Sequence, residues 1–501
     1  MRDDNVTQTA RTTTAATPDP GPAPGRSGGD RRAALVRTWA PALVPALLML
    51  VVGRYGLRRP TLGWDENATW IASQRTPGQI VDLARHFDGV ISPYYMAMHF
   101  WTGVFGDSEF ALRAPSLLAV AAGVGVAGEL GRRLFGPGVG LLGGLLLVAV
   151  PQLSRYAQDA RAYGLAFLFA TLATLLLYRA VERPGWGRWI AYAALVTLTG
   201  FAHILALMVL FGHAYVVGSR FRAGRDRRLL RWVVVTAAAL VPVLPLVFLG
   251  LTQRGTQLDW IEDMSLEQVW LAPGEIFGSA AAGLLLVGLA LAVRGPDRRV
   301  AAELAVLAVA PPVALIAVSF VTSSLWVPRY VLFVVPAVAL LAAAALRGLR
   351  LRALAALVLL AAVAVPAHQE VRGKVSHMGA DFRTIAAIIE REQQPGDAIV
   401  YGAEGTWSLR AGIDYQLRDR QKPRDVLLAR PAAEVGELEA EQCADQVACL
   451  GGARRVWFFR QWQSGAPLSD SGPLGPTLRT GYRQVDVWKA TKATLVLLER
   501  R

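Results

Sequence analysis

The chain has 501 residues, of which 53% are hydrophobic and 18% charged, with a formal net charge of +14. An ordinary soluble domain carries about 25% charged residues, and here the apolar residues fall in long blocks parted by Arg-rich breaks, which argues against a soluble enzyme. It argues against a nucleic-acid partner too, because the positive charge lies between apolar blocks, where a membrane protein keeps it on the cytoplasmic side.

Residues 1–37 read as a disordered cytoplasmic tail: the first thirty are rich in Thr, Pro, Gly and Asp and have no apolar period. They do not read as a signal peptide, since the apolar run begins too late and no small-residue cleavage site follows it. The first span is predicted at 38–57, with Arg31, Arg32 and Arg37 before it placing the N-terminus inside. A large outer loop, 58–112, follows. Its apolar stretch 92–106 gives roughly 22 Å of helix, too short for a core of about 30 Å. With Tyr94, Tyr95, Phe100, Trp101 and Phe105, it reads as an interfacial helix.

The next spans are predicted at 113–130, 138–153 and 162–177, which leaves Arg132, Arg133, Arg179, Arg183 and Arg188 inside. Residues 189–219 read as a hairpin turning near 200–203, because a single helix would put the run from Arg220 to Arg231 outside. Spans at 232–251, 276–293, 300–320, 330–346 and 353–365 complete about eleven, within a transmembrane domain of 38–368. The C-terminus then lies outside.

Residues 369–501 read as a small α/β domain outside the membrane. The stretch 381–392 is an amphipathic helix with Phe382, Ile385, Ile388 and Ile389 on one face. Pro395-Gly396-Asp397 is a turn, and 398–401, 456–459 and 493–498 are strands. The only cysteines, Cys443 and Cys449, lack zinc-site spacing. In an exported domain they are expected to form a disulfide, the alternative being two free thiols.

Three polar sets stand at outer ends of spans. Trp64-Asp65-Glu66-Asn67 places two acids beside the first span, costly there unless paired or used, although a helix cap or solvated loop is the plain alternative. Arg155 and Asp159 are four apart and fit a simple pair. Yet Arg155, Arg161 and Arg329 all lie on the side that the charge rule leaves poor in cations, and a lipid phosphate would explain them. Snorkelling to headgroups is the alternative for Arg329. His203, at the hairpin turn, fits a structural role. Carboxylates and arginines on one membrane face suit sugar transfer from a lipid phosphate: a carboxylate takes the acceptor's proton, and arginines steady the departing phosphate.

These residues, with the runs 106–116 and 155–163 and with Pro328-Arg329-Tyr330, resemble the GT-C membrane glycosyltransferases. The likeness is to the glycosyltransferase family 39-like group of protein O-mannosyltransferases and aminoarabinose transferases, and covers roughly residues 38–400. The resemblance implies a polytopic α-helical fold of GT-C type and an inverting transfer from a polyprenyl-phosphate sugar, read as mannose, to a glycan, lipid or protein acceptor of the cell envelope. It implies Asp65 as base, Glu66 and Asp159 in support, and Arg155, Arg161, Arg329 and Tyr330 at the donor phosphate. Trp64, Tyr163 and His203 are candidate acceptor or donor contacts. Many relatives carry His-Pro-Pro-Leu-Tyr-Tyr where this chain has Val90-Ile91-Ser92-Pro93-Tyr94-Tyr95, so no obligatory metal is expected. Adjacent carboxylates remain the ligand type for Mg²⁺ or Mn²⁺. The competing reading is a transporter or flippase of a lipid-linked or small solute, for which broken helices and polar residues at mid-membrane would speak.

Overall fold

The protein is described as a computed structural model over residues 28–294, 298–322, 324–463 and 465–501, with side chains at all of these but 28–34 and 256. Most of the expected tail lies outside the described residues. Its end is already helical, because α1 runs Gly28–Arg54.

Three short helices occupy the first loop: α2 (Trp64–Ser73), α3 (Pro77–His86) and α4 (Ser92–Phe105). The bundle continues with α5 (Glu109–Phe135), α6 (Pro137–Val148), α7 (Pro151–Ala157), α8 (Tyr163–Glu182), α9 (Trp186–Ala202) and α10 (Val209–Gly224). Then come α11 (Arg231–Leu240), α12 (Leu244–Thr252), α13 (Arg254–Leu258), α14 (Leu266–Phe277), α15 (Ala280–Leu291), α16 (Arg298–Val321), α17 (Val335–Ala345) and α18 (Arg350–Glu370). Among the described residues eight segments are long and apolar enough to cross a bilayer, and ten if two bent pairs each count as one span. The 17-residue α9 falls just short of that length and ends at His203, where the hairpin turn was expected.

The bent pairs correct the picture of straight spans. α6 turns 69° into α7, and α14 turns 89° into α15. The first break precedes Pro151, which has no N–H to continue the ladder. The second falls at Gly278, in the left-handed region at φ 73°. α5 and α17 form the buried centre of the bundle, while α1 and α18 turn Leu47, Val51, Leu351, Leu354 and Val358 outward, as lipid-facing helices do. α1 comes so close to α5 that a Cβ on Gly128 would lie 1.8 Å from the Pro41 carbonyl oxygen. The spans are also less purely apolar than the composition suggested. His213 on α10 is fully buried, with Thr174 and Tyr192 at 2.9 and 3.0 Å from its two ring nitrogens.

The C-terminal part begins with α19 (Phe382–Glu392), β1 (Ala398–Tyr401) and α20 (Thr406–Gln416). Further strands are β2 (Arg424–Asp425), β3 (Leu428–Arg430), β4 (Glu441–Gln442), β5 (Arg455–Gln461), β6 (Tyr482–Ala490) and β7 (Ala493–Arg500). Five of them make one sheet in the order β2-β1-β5-β7-β6, with β1 parallel to both neighbours and β7 antiparallel to both of its own. Phe382, Ile385 and Ile389 pack on Ile399, Trp457 and Phe459, so the amphipathic face read from the sequence is the core face. Cys443 and Cys449 are disulfide-bonded, with Cα atoms 6.5 Å apart.

Candidate active site

The two adjacent acids have opposite fates, and the helix that carries them decides it. α2 begins one residue before Asp65, where the Glu66 carboxylate, at the third helical position, accepts the Gly63 N–H at 3.1 Å and satisfies one of the open donors of the helix start. Successive helical residues point about 100° apart, so Glu66 turns inward, 1% exposed, and Asp65 keeps 46% of its side chain exposed.

Glu66 is saturated. Arg113, on α5, donates from Nε to Oε1 at 2.6 Å and from Nη2 to Oε2 at 2.7 Å. The Ala160 N–H donates to Oε1 at 3.0 Å, and His377 Nδ1 lies 2.8 Å from Oε2. Burial works to raise the Glu66 pKa, but the charges of Arg113 and then His377 with their hydrogen bonds hold it well below the usual range. Arg113 is completed by the carbonyls of Leu57, Pro60 and Thr61 at 2.6, 3.0 and 3.3 Å. Burial brings His377 down to about 4, so it is neutral at physiological pH. Neither Arg113 nor His377 was assigned a role from the sequence. An arginine at the mouth of an apolar helix was a usable signal for the first, since it demands a partner.

Asp65 is open and faces cations. Arg161 Nη2 lies 4.0 Å from one carboxylate oxygen and Arg329 Nη2 3.9 Å from the other. Desolvation would raise its pKa, but Arg161, Arg329 and Arg155 together lower it, leaving a ready carboxylate. Arg161 is aimed by a relay: its Nη1 donates to the Tyr95 hydroxyl at 3.0 Å, and that hydroxyl donates to Asp88 Oδ2 at 2.5 Å. Arg329 donates to the Tyr163 hydroxyl at 2.9 Å and lies over the rings of Tyr163, Trp260 and Tyr330. The His203 ring sits 5.6 Å from Tyr163 and 4.6 Å from Tyr330; burial and then Arg329 depress its pKa to about 3, so it adds no charge. Tyr95→Phe is therefore expected to raise the donor KM several-fold with a smaller change in kcat, since Arg161 loses its anchor and Asp65 does not. Steady-state kinetics in donor check this.

Asp159 is 6% exposed, and Arg155 does not pair with it as the i, i+4 spacing suggested. Arg155 donates instead to the Ser376 carbonyl. Burial and the neighbouring Glu66 raise Asp159 to about 7. Trp64 points away from the arginines, its Nε1 donating to Gln461 at 3.1 Å and its ring 6.2 Å from Trp407, so it joins α2 to the C-terminal domain. Glu66, Asp159 and His377 bring ligand-type atoms within 4.8 Å of one another. They fit a divalent ion poorly, because Glu66 is already neutralised by a bidentate arginine.

Residues 93–248 match the family model described as dolichyl-phosphate-mannose-protein mannosyltransferase. Among solved structures, the chain is similar to apo ArnT from Cupriavidus metallidurans at 17% identity and TM-score 0.58, over 93% of this chain and 98% of that one. It is similar to the same protein bound to undecaprenyl phosphate at 18% identity and TM-score 0.55, over 91% and 97%. A comparison with curated protein sequences gave no match. The family match is confined to residues 93–248, and the solved structures show a GT-C-type fold shared over nearly the whole chain.

Proposed function

We propose that the protein moves a sugar, mannose by preference, from a polyprenyl phosphate to a hydroxyl of an envelope glycan, lipid or protein, at the outer face of the cytoplasmic membrane, with inversion. The observation that carries this is the division of labour between the acids: Glu66 is fully used in holding the site, and Asp65 is exposed, ionised and flanked by two arginines. The acceptor oxygen attacks the anomeric carbon as Asp65 takes its proton. The bond from that carbon to the phosphate oxygen breaks, and its electron pair leaves with the polyprenyl phosphate, whose charge Arg161 and Arg329 compensate. No metal is assigned a step. The similarity to ArnT bound to undecaprenyl phosphate supports the donor class, and the family description supports mannose. The test is transfer by purified protein from a panel of polyprenyl-phosphate sugars, with the mannosyl donor expected to be used fastest.

The bent pairs and His213 are what a transporter reading would use. Both His213 nitrogens are already partnered by Thr174 and Tyr192, however, so that histidine offers no free ligand.

Asp159 gives the site a pH dependence. Below about 7 it is protonated, and Arg155 and Arg161 present their full charge to the phosphate. Above that pH its carboxylate competes with the phosphate. The donor KM is therefore expected to rise between pH 6 and 8.5, and Asp159→Asn to flatten the rise, as KM measured across that range will show.

The outer-face assignment predicts that a cysteine placed at Asp65 or Arg329 reacts with an impermeant reagent in intact cells and that one placed at Arg225 does not. Labelling at 225 alone would reverse the topology.

A further inference from the structure

Four cations stand near the end of α1 without a carboxylate partner among the described residues. Arg54, Arg58, Arg59 and Lys374 are exposed, and none forms an ion pair within 4.0 Å among the described residues. They are held as one shelf. The Thr61 N–H donates to the Lys374 carbonyl at 2.8 Å, and Arg372 ties the end of α18 to α1 through the carbonyls of Tyr55 and Val52 at 2.9 and 2.8 Å. Arg383 braces the outer edge, donating to the carbonyls of Arg58 and Arg59, and is itself paired with Glu109 at 2.6 Å.

The surface below the shelf says what meets it. Val44, Leu47, Leu48 and Val51 make an exposed apolar stripe along α1, which runs at the helix end into exposed Tyr55 and then Arg54 and Arg58. α18 brings a second stripe, Leu351, Leu354, Val358 and Val365, toward Lys374. Apolar, then aromatic, then cationic is the order a helix shows as it passes from acyl chains to headgroups. Asp65 is the second residue of the next helix, so the shelf and the active site share one membrane face. On the outer side proposed above, the usual charge bias gives no reason for four unpaired cations.

We propose that this shelf binds the phosphate of an anionic membrane lipid, with the acyl chains lying along the stripes of α1 and α18. The outer placement rests on the proposed topology, but lipid binding does not. The shelf stands on the segment whose Leu57, Pro60 and Thr61 carbonyls hold Arg113. A bound headgroup there screens the mutual repulsion of Arg54, Arg58 and Arg59 in that segment.

The test is native mass spectrometry of the full chain in neutral detergent, titrated with dioleoylphosphatidylglycerol or dioleoylphosphatidylcholine. The wild type is expected to retain the anionic lipid at least about tenfold better, since each cation near a headgroup contributes roughly fivefold. R54Q/R58Q/R59Q should lose that preference, and raised ionic strength should weaken it in the unmutated protein. Soluble glycerol phosphate should not displace the lipid. Equal retention of the two lipids by the wild type, an undiminished preference in the triple variant, or displacement by glycerol phosphate at the lipid's own concentration would each overturn the assignment. No residue in this test belongs to the transfer machinery, so a failed transfer assay leaves its reading intact.

Discussion

Asp65→Asn is expected to lower transfer at least about 10²-fold, while the protein still folds and binds its lipid donor. The change keeps the size of the side chain and some hydrogen bonding but removes the carboxylate that faces both Arg161 and Arg329. Both kcat and kcat/KM should fall together, because the base acts in the transition state rather than in donor binding. Glu66→Gln should cost less, since an amide can still accept from Gly63 or Arg113. Donor binding by the variant, measured beside its turnover, separates lost chemistry from lost structure. Near-normal turnover would move the role of base to Asp159.

Arg113→Ala is expected to destabilise the protein by about 3–5 kcal/mol, the cost of leaving a buried charge without its partner. Glu66 is 1% exposed and Arg113 0%, and the arginine also satisfies three backbone carbonyls. Thermal unfolding in detergent should show the loss at neutral pH. The sign with pH follows from the depressed carboxyl. The pair's contribution is whole above the ordinary value of 4.5 and is lost as pH falls through the folded value, so the gap between wild type and variant should narrow in acid. Arg113→Lys should recover only part, since an ammonium cannot make the two parallel bonds.

How much of this was legible in the sequence depended on range. The order of the helices could be read because a bilayer makes each span a local signal of length and apolarity. The His203 turn could be read because charge bias forces a hairpin there. The two breaks, before Pro151 and at Gly278, were missed: a proline or glycine in an apolar block does not by itself say whether a helix bends or ends. β6 was missed for another reason. As an edge strand its residues Arg483, Gln484, Val485 and Asp486 are exposed, so it carries no apolar run, and its register comes from pairing with β7. In the site, Asp65, Arg161 and Arg329 were found from charges out of place and do converge. The difference between Asp65 and Glu66 could not be read, because it depends on His377 and Arg113, which lie 311 and 47 residues away from Glu66. Tyr95 ends a motif that the chain only half keeps and Asp88 stands just before it, and what joins them to Arg161 is contact in space.

The most direct measurement is the stoichiometry of one reaction: purified protein with a polyprenyl-phosphate sugar and an acceptor, following free polyprenyl phosphate and glycosylated product together. One lipid phosphate released for each sugar transferred, with the anomeric centre inverted and both products absent for Asp65→Asn, is the predicted result. Movement of the intact lipid-linked sugar across a vesicle membrane, with no lipid phosphate released and no dependence on Asp65, would contradict it.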